Sequence, residues 1–475
     1  MKIRKLKVID YKVIDELDLD FTDSNGHTLN VVVFAGVNGC GKTTILELIK
    51  NVFSDDFNRS LRRKRFGFRI TSSQVDDVFP AKEITIEFEI TNLKLKENFI
   101  EIISEYQEEL KTRLETERKT IINREGVENK FNVVNQILSQ FSNGSIFSLT
   151  YKTNDDKSEV IVNDFEVIHS LSEKINDLGF NITYIPYETY MNKEDRDSDE
   201  VPYHEAMKER LREIKKQLVR VIDFEDDKAL IKNYIISDLI QTILNEKEIP
   251  PKESVFKIIN RINDILKYIT LNTKIAEITT KQLIFNSPNG KTITLDGLSS
   301  GEKQLFYRFV YLNTLEINES IIMVDEPETS LHPLWQQQLV QLYGNIGENN
   351  QIFLATHSPH VIASVTPESI ILLTVNSDKK RITSLRLSDS PSQQKTKGVE
   401  PNRILKEVMG VLRLTDEQTL ADMEFLSKCI DQSNTEDDEF KKIYNRLLNN
   451  LGNDDPFIMS VDFEISMLNR KGVNG

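Results

Sequence analysis

The chain has 475 residues, a net charge of −15, and 39% hydrophobic against 28% charged residues. It is too long for one small core and predicts two or three domains of a globular protein with some solvated helix. The acidic balance excludes a protein that coats itself with nucleic acid, so any such surface must be a local patch. No apolar run reaches the roughly 18 residues of a membrane span.

The N-terminus, Met1 to Val8, alternates basic and apolar residues. That is a strand pattern, without the uninterrupted apolar core of a signal peptide. Residues 3–9 and 16–21 predict a hairpin, with Leu17-Asp18-Leu19-Asp20-Phe21 alternating at period two. Asn25-Gly26 marks a turn, and 30–35 reads as a third strand. Next comes Gly36-Val37-Asn38-Gly39-Cys40-Gly41-Lys42-Thr43-Thr44, leading into an apolar helix over 43–53. Strand, glycine loop and helix together fit the P-loop pattern GxxxxGK[ST] without mismatch. The glycines let backbone N–H groups wrap a phosphate, and the helix N-terminus adds partial positive charge. Lys42 supplies a point charge for the outer phosphates and Thr43 an oxygen for magnesium. One of the two cysteines, Cys40, lies in this loop, and the other is Cys429. A structural disulfide is therefore not expected, which predicts a reducing, cytoplasmic setting.

A dense basic run follows: Arg59, Arg62, Arg63, Lys64, Arg65 and Arg69. It reads equally well as a DNA-facing patch or a solvated loop. Residues 83–90 alternate strictly as a strand. Residues 97–142 read as helix, with Phe99, Ile103, Tyr106, Leu110 and Leu114 in one stripe and a projecting arm beyond it. Short strands are predicted over 147–151, 160–162 and 182–186. Residues 192–202 have linker composition, and Asp195, Asp197 and Asp199 there lack the glycine and distal glutamate of a calcium loop. Met207, Leu211, Ile214, Leu218 and Val221 make a seam of about two heptads. With apolar helices over 229–245 and 254–268, residues 203–275 read as a helical insertion.

The next pieces carry the chemistry. Leu298-Ser299-Ser300-Gly301-Glu302 precedes a long helix, so Ser299 and the N–H groups around Gly301 form a second anion site. Ser320 to Val324 is an apolar strand ending in Asp325-Glu326. An acid at the carboxyl end of a strand beside the P-loop strand can hold magnesium through water, and its neighbour can polarise an attacking water. Ser330-Leu331-His332-Pro333 follows, and the strand 351–356 ends at His357.

These motifs, in this order, resemble the ABC-type ATPases of the SMC, RecF and overcoming-lysogenization-defect group. The matches are the P-loop at 36–43, a signature at 298–302, a Walker B strand at 321–326, a D-loop at 330–333 and a switch histidine at 357. The resemblance implies an α/β head with a mixed sheet, ATP and Mg2+ as ligands, and hydrolysis with Glu326 as base and His357 as switch. It implies nucleotide contacts from Gly36, Asn38, Gly39, Cys40, Gly41, Lys42, Thr43 and Thr44. Asp325 and Thr43 would serve the metal. In Ile9-Asp10-Tyr11-Lys12, Lys12 matches a phosphate-touching basic position. The glutamine of the Q-loop is open between Gln74 and the position of Glu188. Ser299, Gly301 and Glu302 would act on a neighbour's nucleotide, so function would need a homodimer or a higher oligomer of dimers. About 255 residues separate Thr43 from Leu298, which implies a stubby helical arm rather than a long coiled coil.

Residues 368–388 alternate as a hairpin, and 389–397 is polar linker. The remainder, from Pro401-Asn402-Arg403-Ile404-Leu405-Lys406-Glu407-Val408-Met409-Gly410, reads as helices. It holds no Toprim set of strand-borne acids, and Asp437-Asp438 and Asp454-Asp455 read as caps and turns. A short-armed head with this tail resembles the ATPase subunit of Septu-type anti-phage systems, also found with some retrons. That implies a small HNH nuclease partner and no nuclease of its own. It also leaves room for DNA at Arg62 to Arg65 and for a retron reverse transcriptase with its nucleic acid. The alternative is a RecF-like repair ATPase that clamps DNA ends. The expected organisation is an N-terminal head lobe (1–96), a helical arm (97–142), further head strands (143–190) and a helical insertion (191–275). A C-terminal head lobe (276–388) and a partner-docking tail (398–475) complete it.

Overall fold

The structure is a computed structural model, and it describes residues 1–54, 81–116, 121–142, 144–153, 160–185, 217–221, 273–278, 283–287, 289–315, 317–376, 381–390, 395–410, 416–432, 434–435 and 437–473, with positions 256, 259–260 and 263–264. The chain divides into two compact units, Met1–Ile404 and Leu405–Gly475.

In the first unit, β1 (Lys2–Tyr11) and β2 (Ile14–Asp20) form the expected antiparallel hairpin. Then β3 (Val31–Ala35) delivers the glycine loop and α1 (Lys42–Val52) leaves it. β4 (Glu83–Glu89) precedes two long helices, α2 (Leu93–Thr116) and α3 (Ile121–Ser142), followed by β5 (Ile146–Thr153) and β6 (Val160–Asn163). Short helices α4 (Phe165–Ser170) and α5 (Ser172–Asp177) lead to β7 (Ile182–Ile185) and β8 (Val219–Val221). The second half contains β9 (Lys274–Ile278), β10 (Leu283–Asn286) and β11 (Thr292–Thr294), then α6 (Ser300–Thr314) and β12 (Ile321–Asp325). After α7 (Pro333–Gln336), α8 (Leu339–Gly344), β13 (Gln351–Thr356) and α9 (Pro359–Ile362), the hairpin β14 (Ile370–Asn376) and β15 (Arg381–Arg386) closes the sheet.

The fold class is α/β. The central sheet runs β15-β14-β3-β13-β12-β7-β8, and among the described residues only its β14–β15 pair is antiparallel. Its inner strands are near-continuous apolar runs because both faces are covered. The register places Phe34 opposite Ala355 and Ala355 opposite Asp325, so β3, β13 and β12 end level. The second sheet, β2-β1-β4-β5-β6, is antiparallel. Alternate residues of β4, Ile84, Ile86 and Phe88, are buried, as one covered face requires. Both sheets and α1 share one core, in which Phe21 packs edge-on against Phe34 and Phe353.

Two expectations need correcting. The helix over 97–142 is a pair: α2 buries Leu95, Phe99, Ile103, Tyr106 and Leu110, and α3 returns Val134, Ile137 and Phe141 to the same core. A stripe that fades past Leu110 leaves nothing to hold one long helix, whereas two shorter helices bury apolar faces on each other. Second, the heptad seam does not run through to Val221, because Val219–Val221 form a strand paired with β7. The β7 edge offers unmet backbone bonds, and the two valines suit a strand. Most of the insertion 191–275 lies outside the described residues, as do its linker, Asp195, Asp197 and Asp199.

Among the described residues the second unit packs three helices, α10 (Glu417–Asp431), α11 (Asp438–Leu451) and α12 (Pro456–Val473), around Leu426, Cys429, Phe440, Leu447 and Ile458. Asp437 accepts from the Glu439 amide at 3.1 Å and Asp455 from the Phe457 amide at 2.8 Å, so both acids are caps. The boundary between the two units falls at Ile404–Leu405. No helix among the described residues is long and apolar enough to cross a membrane.

Candidate nucleotide site

The glycine loop sits at the carboxyl end of β3 and turns directly into α1. Gly36 has φ 147°, and a Cβ there would lie 2.4 Å from the Leu373 carbonyl oxygen and 2.7 Å from Cys40 Sγ, so no other residue fits. Gly41 precedes α1 without a side-chain cap, which leaves the first N–H groups of the helix for a ligand. Lys42 is buried and its Nζ donates to the Gly36 carbonyl at 2.9 Å and the Val37 carbonyl at 3.1 Å. The loop is thus wrapped around its own ammonium group. Asn38 and Gly39 form the exposed crest, Thr43 is exposed and Thr44 half-buried. Cys40 is fully buried, and burial pushes its thiol pKa up, so it packs rather than reacts.

Thr43 Oγ1 donates to Asp325 Oδ2 at 2.8 Å, joining residues 282 apart in sequence. The strand carrying Asp325 is not beside the P-loop strand as expected, because β13 lies between them. That arrangement brings His357, at the end of β13, between the two motifs. Asp325 is 2% exposed, and among the described residues its Oδ1 has no hydrogen-bond partner. Burial raises its pKa to about 6, against the Thr43 hydrogen bond, with Glu326 adding to the rise. A buried carboxylate with one oxygen unmet fits a cation. Among the described residues no three His, Cys, Asp or Glu side chains group to hold a metal. Thr43 and Asp325 therefore suit a magnesium ion that keeps water and ligand oxygens, which is its habit.

Glu326 takes the left-handed φ of 44°, its amide donating to the Ala355 carbonyl at 2.8 Å. His357 Nδ1 lies 3.5 Å from Glu326 Oε1 and 3.5 Å from Glu328 Oε1. Sequence reasoning missed Glu328. The signal was a third acid in Asp325-Glu326-Pro327-Glu328.

Ser299 is the N-cap of α6 in a reciprocal capping box: its Oγ accepts from the Glu302 amide at 3.3 Å, and Glu302 Oε2 accepts from the Ser299 amide at 3.0 Å. Glu302 Oε1 also accepts from Thr273 Oγ1 at 3.1 Å. These bonds make Glu302 a cap residue, and among the described residues none of them reaches the P-loop of the same chain. A Cβ on Gly301 would lie 2.8 Å from Trp335 Cζ3 and 3.3 Å from the Ser330 carbonyl oxygen, so the signature turn packs on the loop after Glu326. Lys12, at φ 50°, pairs with Glu47 of α1 at 3.0 Å and is 45% exposed. It stands over the helix that follows the P-loop rather than in the loop itself. Gln74, Glu188 and the basic residues Arg62, Arg63, Lys64 and Arg65 lie outside the described residues.

Residues 1–362 match the model of the AAA ATPase domain family. The chain belongs to that family. It is 25% identical to the Retron Vc95 probable ATPase of Vibrio cholerae serotype O1 biovar El Tor, over 78% of this chain and 73% of that one. It is 27% identical to the Septu protein PtuA of Bacillus thuringiensis, over 33% of this chain and 42% of that one. It is 22% identical to the Endonuclease GajA of Bacillus cereus (strain HuB5-5), over 77% of this chain and 59% of that one. Membership of an ATPase family accounts for a glycine loop and a buried acid at the carboxyl ends of inner strands of one sheet.

Proposed function

We propose that the chain hydrolyses ATP between two copies of itself, senses infection and regulates a separate HNH nuclease in anti-phage defence. The observation that carries the ATPase part is the Thr43–Asp325 hydrogen bond, which sets P-loop and Walker B carboxylate within one shell of each other. Relatives named as a retron ATPase and a Septu protein support the defence setting.

The chain's residues divide the work. Lys42 exchanges its loop carbonyls for the outer phosphates, and the open N-terminus of α1 holds them in place. Asp325 and Thr43 would hold Mg2+, which would offset the phosphate charge. Glu326, backed by His357, accepts the proton of the attacking water. Ser299 and the amides around Gly301 take the γ-phosphate of a neighbouring copy, which explains a capped helix end with no partner in its own P-loop.

Purified chain should hydrolyse ATP with magnesium. Affinity purification from the native locus should bring down a small HNH protein. Degradation of DNA by the chain alone, preserved in Glu326→Gln, would sink the division of labour between ATPase and nuclease.

A further inference from the structure

We propose that Glu328 is a positioning residue that holds His357 opposite Glu326. This rests on the roles given to Glu326 and His357 above. Glu328 is 4% exposed, and its Oε1 accepts from Thr356 Oγ1 at 2.6 Å, the His357 amide at 2.9 Å and the Ser358 amide at 3.1 Å. One oxygen therefore ties down the last residue of β13 and the two that follow. The same oxygen lies 3.5 Å from His357 Nδ1, and among the described residues this is the ion-pair contact Glu328 makes. A neutral amide could satisfy the three donors without the cost of burying a charge. The charge acts on the imidazole: it favours the Nδ1–H form, aimed between two carboxylates. The strained φ of 44° at Glu326 makes such bracing necessary, because a residue in that region stays there only when its neighbours hold it. Glu328 braces it from the β13 side, two residues along the chain.

Glu328→Gln keeps an acceptor for the three donors and removes the charge. Its kcat should fall about tenfold or more while the ATP KM stays near native, measured at a temperature where the variant is folded. Glu328→Asp, which restores the charge, should recover part of the rate. Glu328→Gln combined with His357→Ala should be no slower than His357→Ala alone, because both act through one group. In the 15N-histidine spectrum of the nucleotide-free full chain, the resonance that His357→Ala removes should move in Glu328→Gln. Native kcat, an unmoved His357 resonance, or losses that multiply in the double variant would overturn the proposal. Native-rate hydrolysis by Glu326→Gln would instead overturn the role of the acid, and the spectrum would still decide Glu328.

Discussion

The guanidinium of Arg308 donates to the carbonyl of Pro327 at 3.0 Å and to Tyr343 Oη at 3.1 Å, fully buried. Arg308 lies on α6, the helix that begins at Ser299, and Pro327 follows Glu326 directly. The segment Pro327–Glu328 is thus held by the signature helix on one side and by the end of β13 on the other. A shift of α6 would thus reach the residue next to Glu326 through one hydrogen bond.

Arg308→Met tests that link. It leaves the Pro327 carbonyl and the Tyr343 hydroxyl short of a donor, so denaturant unfolding should show a loss of about 2–4 kcal/mol. At a temperature where the variant is folded, ATP binding should persist and turnover should fall about tenfold, measured by phosphate release.

Lys42→Ala and Glu326→Gln should separate binding from chemistry. The first removes the charge that the loop is wrapped around and should abolish binding of a fluorescent ATP analogue. The second should bind normally, hydrolyse about a hundredfold more slowly or worse, and run as a dimer with ATP in light scattering. A nucleotide-saturated Glu326→Gln chain that stays monomeric would remove the role given to Ser299.

Asp325 sets a conflict between stability and function. Its folded pKa of about 6 lies above the ordinary 3.8. Between those values the folded chain holds more protons than the unfolded one, so stability falls as pH rises through that window and stays lower above it. The full penalty is up to about 3 kcal/mol. Asp325→Asn should therefore raise the thermal midpoint of the nucleotide-free chain at pH 8 by a few degrees, have little effect near pH 4, and abolish magnesium-dependent hydrolysis.

Gly301→Ala should act through packing. The added methyl meets the Trp335 ring and the Ser330 carbonyl, so either the ring or the signature turn must shift. A cost of about 1–3 kcal/mol is expected in denaturant unfolding. ATP-dependent dimerisation should weaken while single-chain ATP binding is kept.

The glycine loop before α1, the two acids ending β12, the N-cap of α6 and His357 after β13 were legible as positions because each is local. A glycine loop between strand and helix, or an apolar strand ending in two acids, declares itself within ten residues. The same holds for the β1–β2 and β14–β15 hairpins and for the caps at Asp437 and Asp455. The order of strands was not legible. Periodicity says which face of a strand is buried but not which strand lies next to it, so β13 between β3 and β12 came only from tertiary packing. For the same reason Val219–Val221 looked helical until the free edge of β7 supplied its partners. Glu328 and Arg308 are the clearest cases. Nothing about one glutamate after a proline, or one arginine within an amphipathic helix, marks it as buried. Only folding brings Glu328 under the amides of His357 and Ser358, and Arg308 under Pro327, because those bonds join segments 19 to 30 residues apart. The chemistry of this site is written in short motifs; the bracing that holds it in register is a property of the closed sheet, where polar groups cut off from water must find each other.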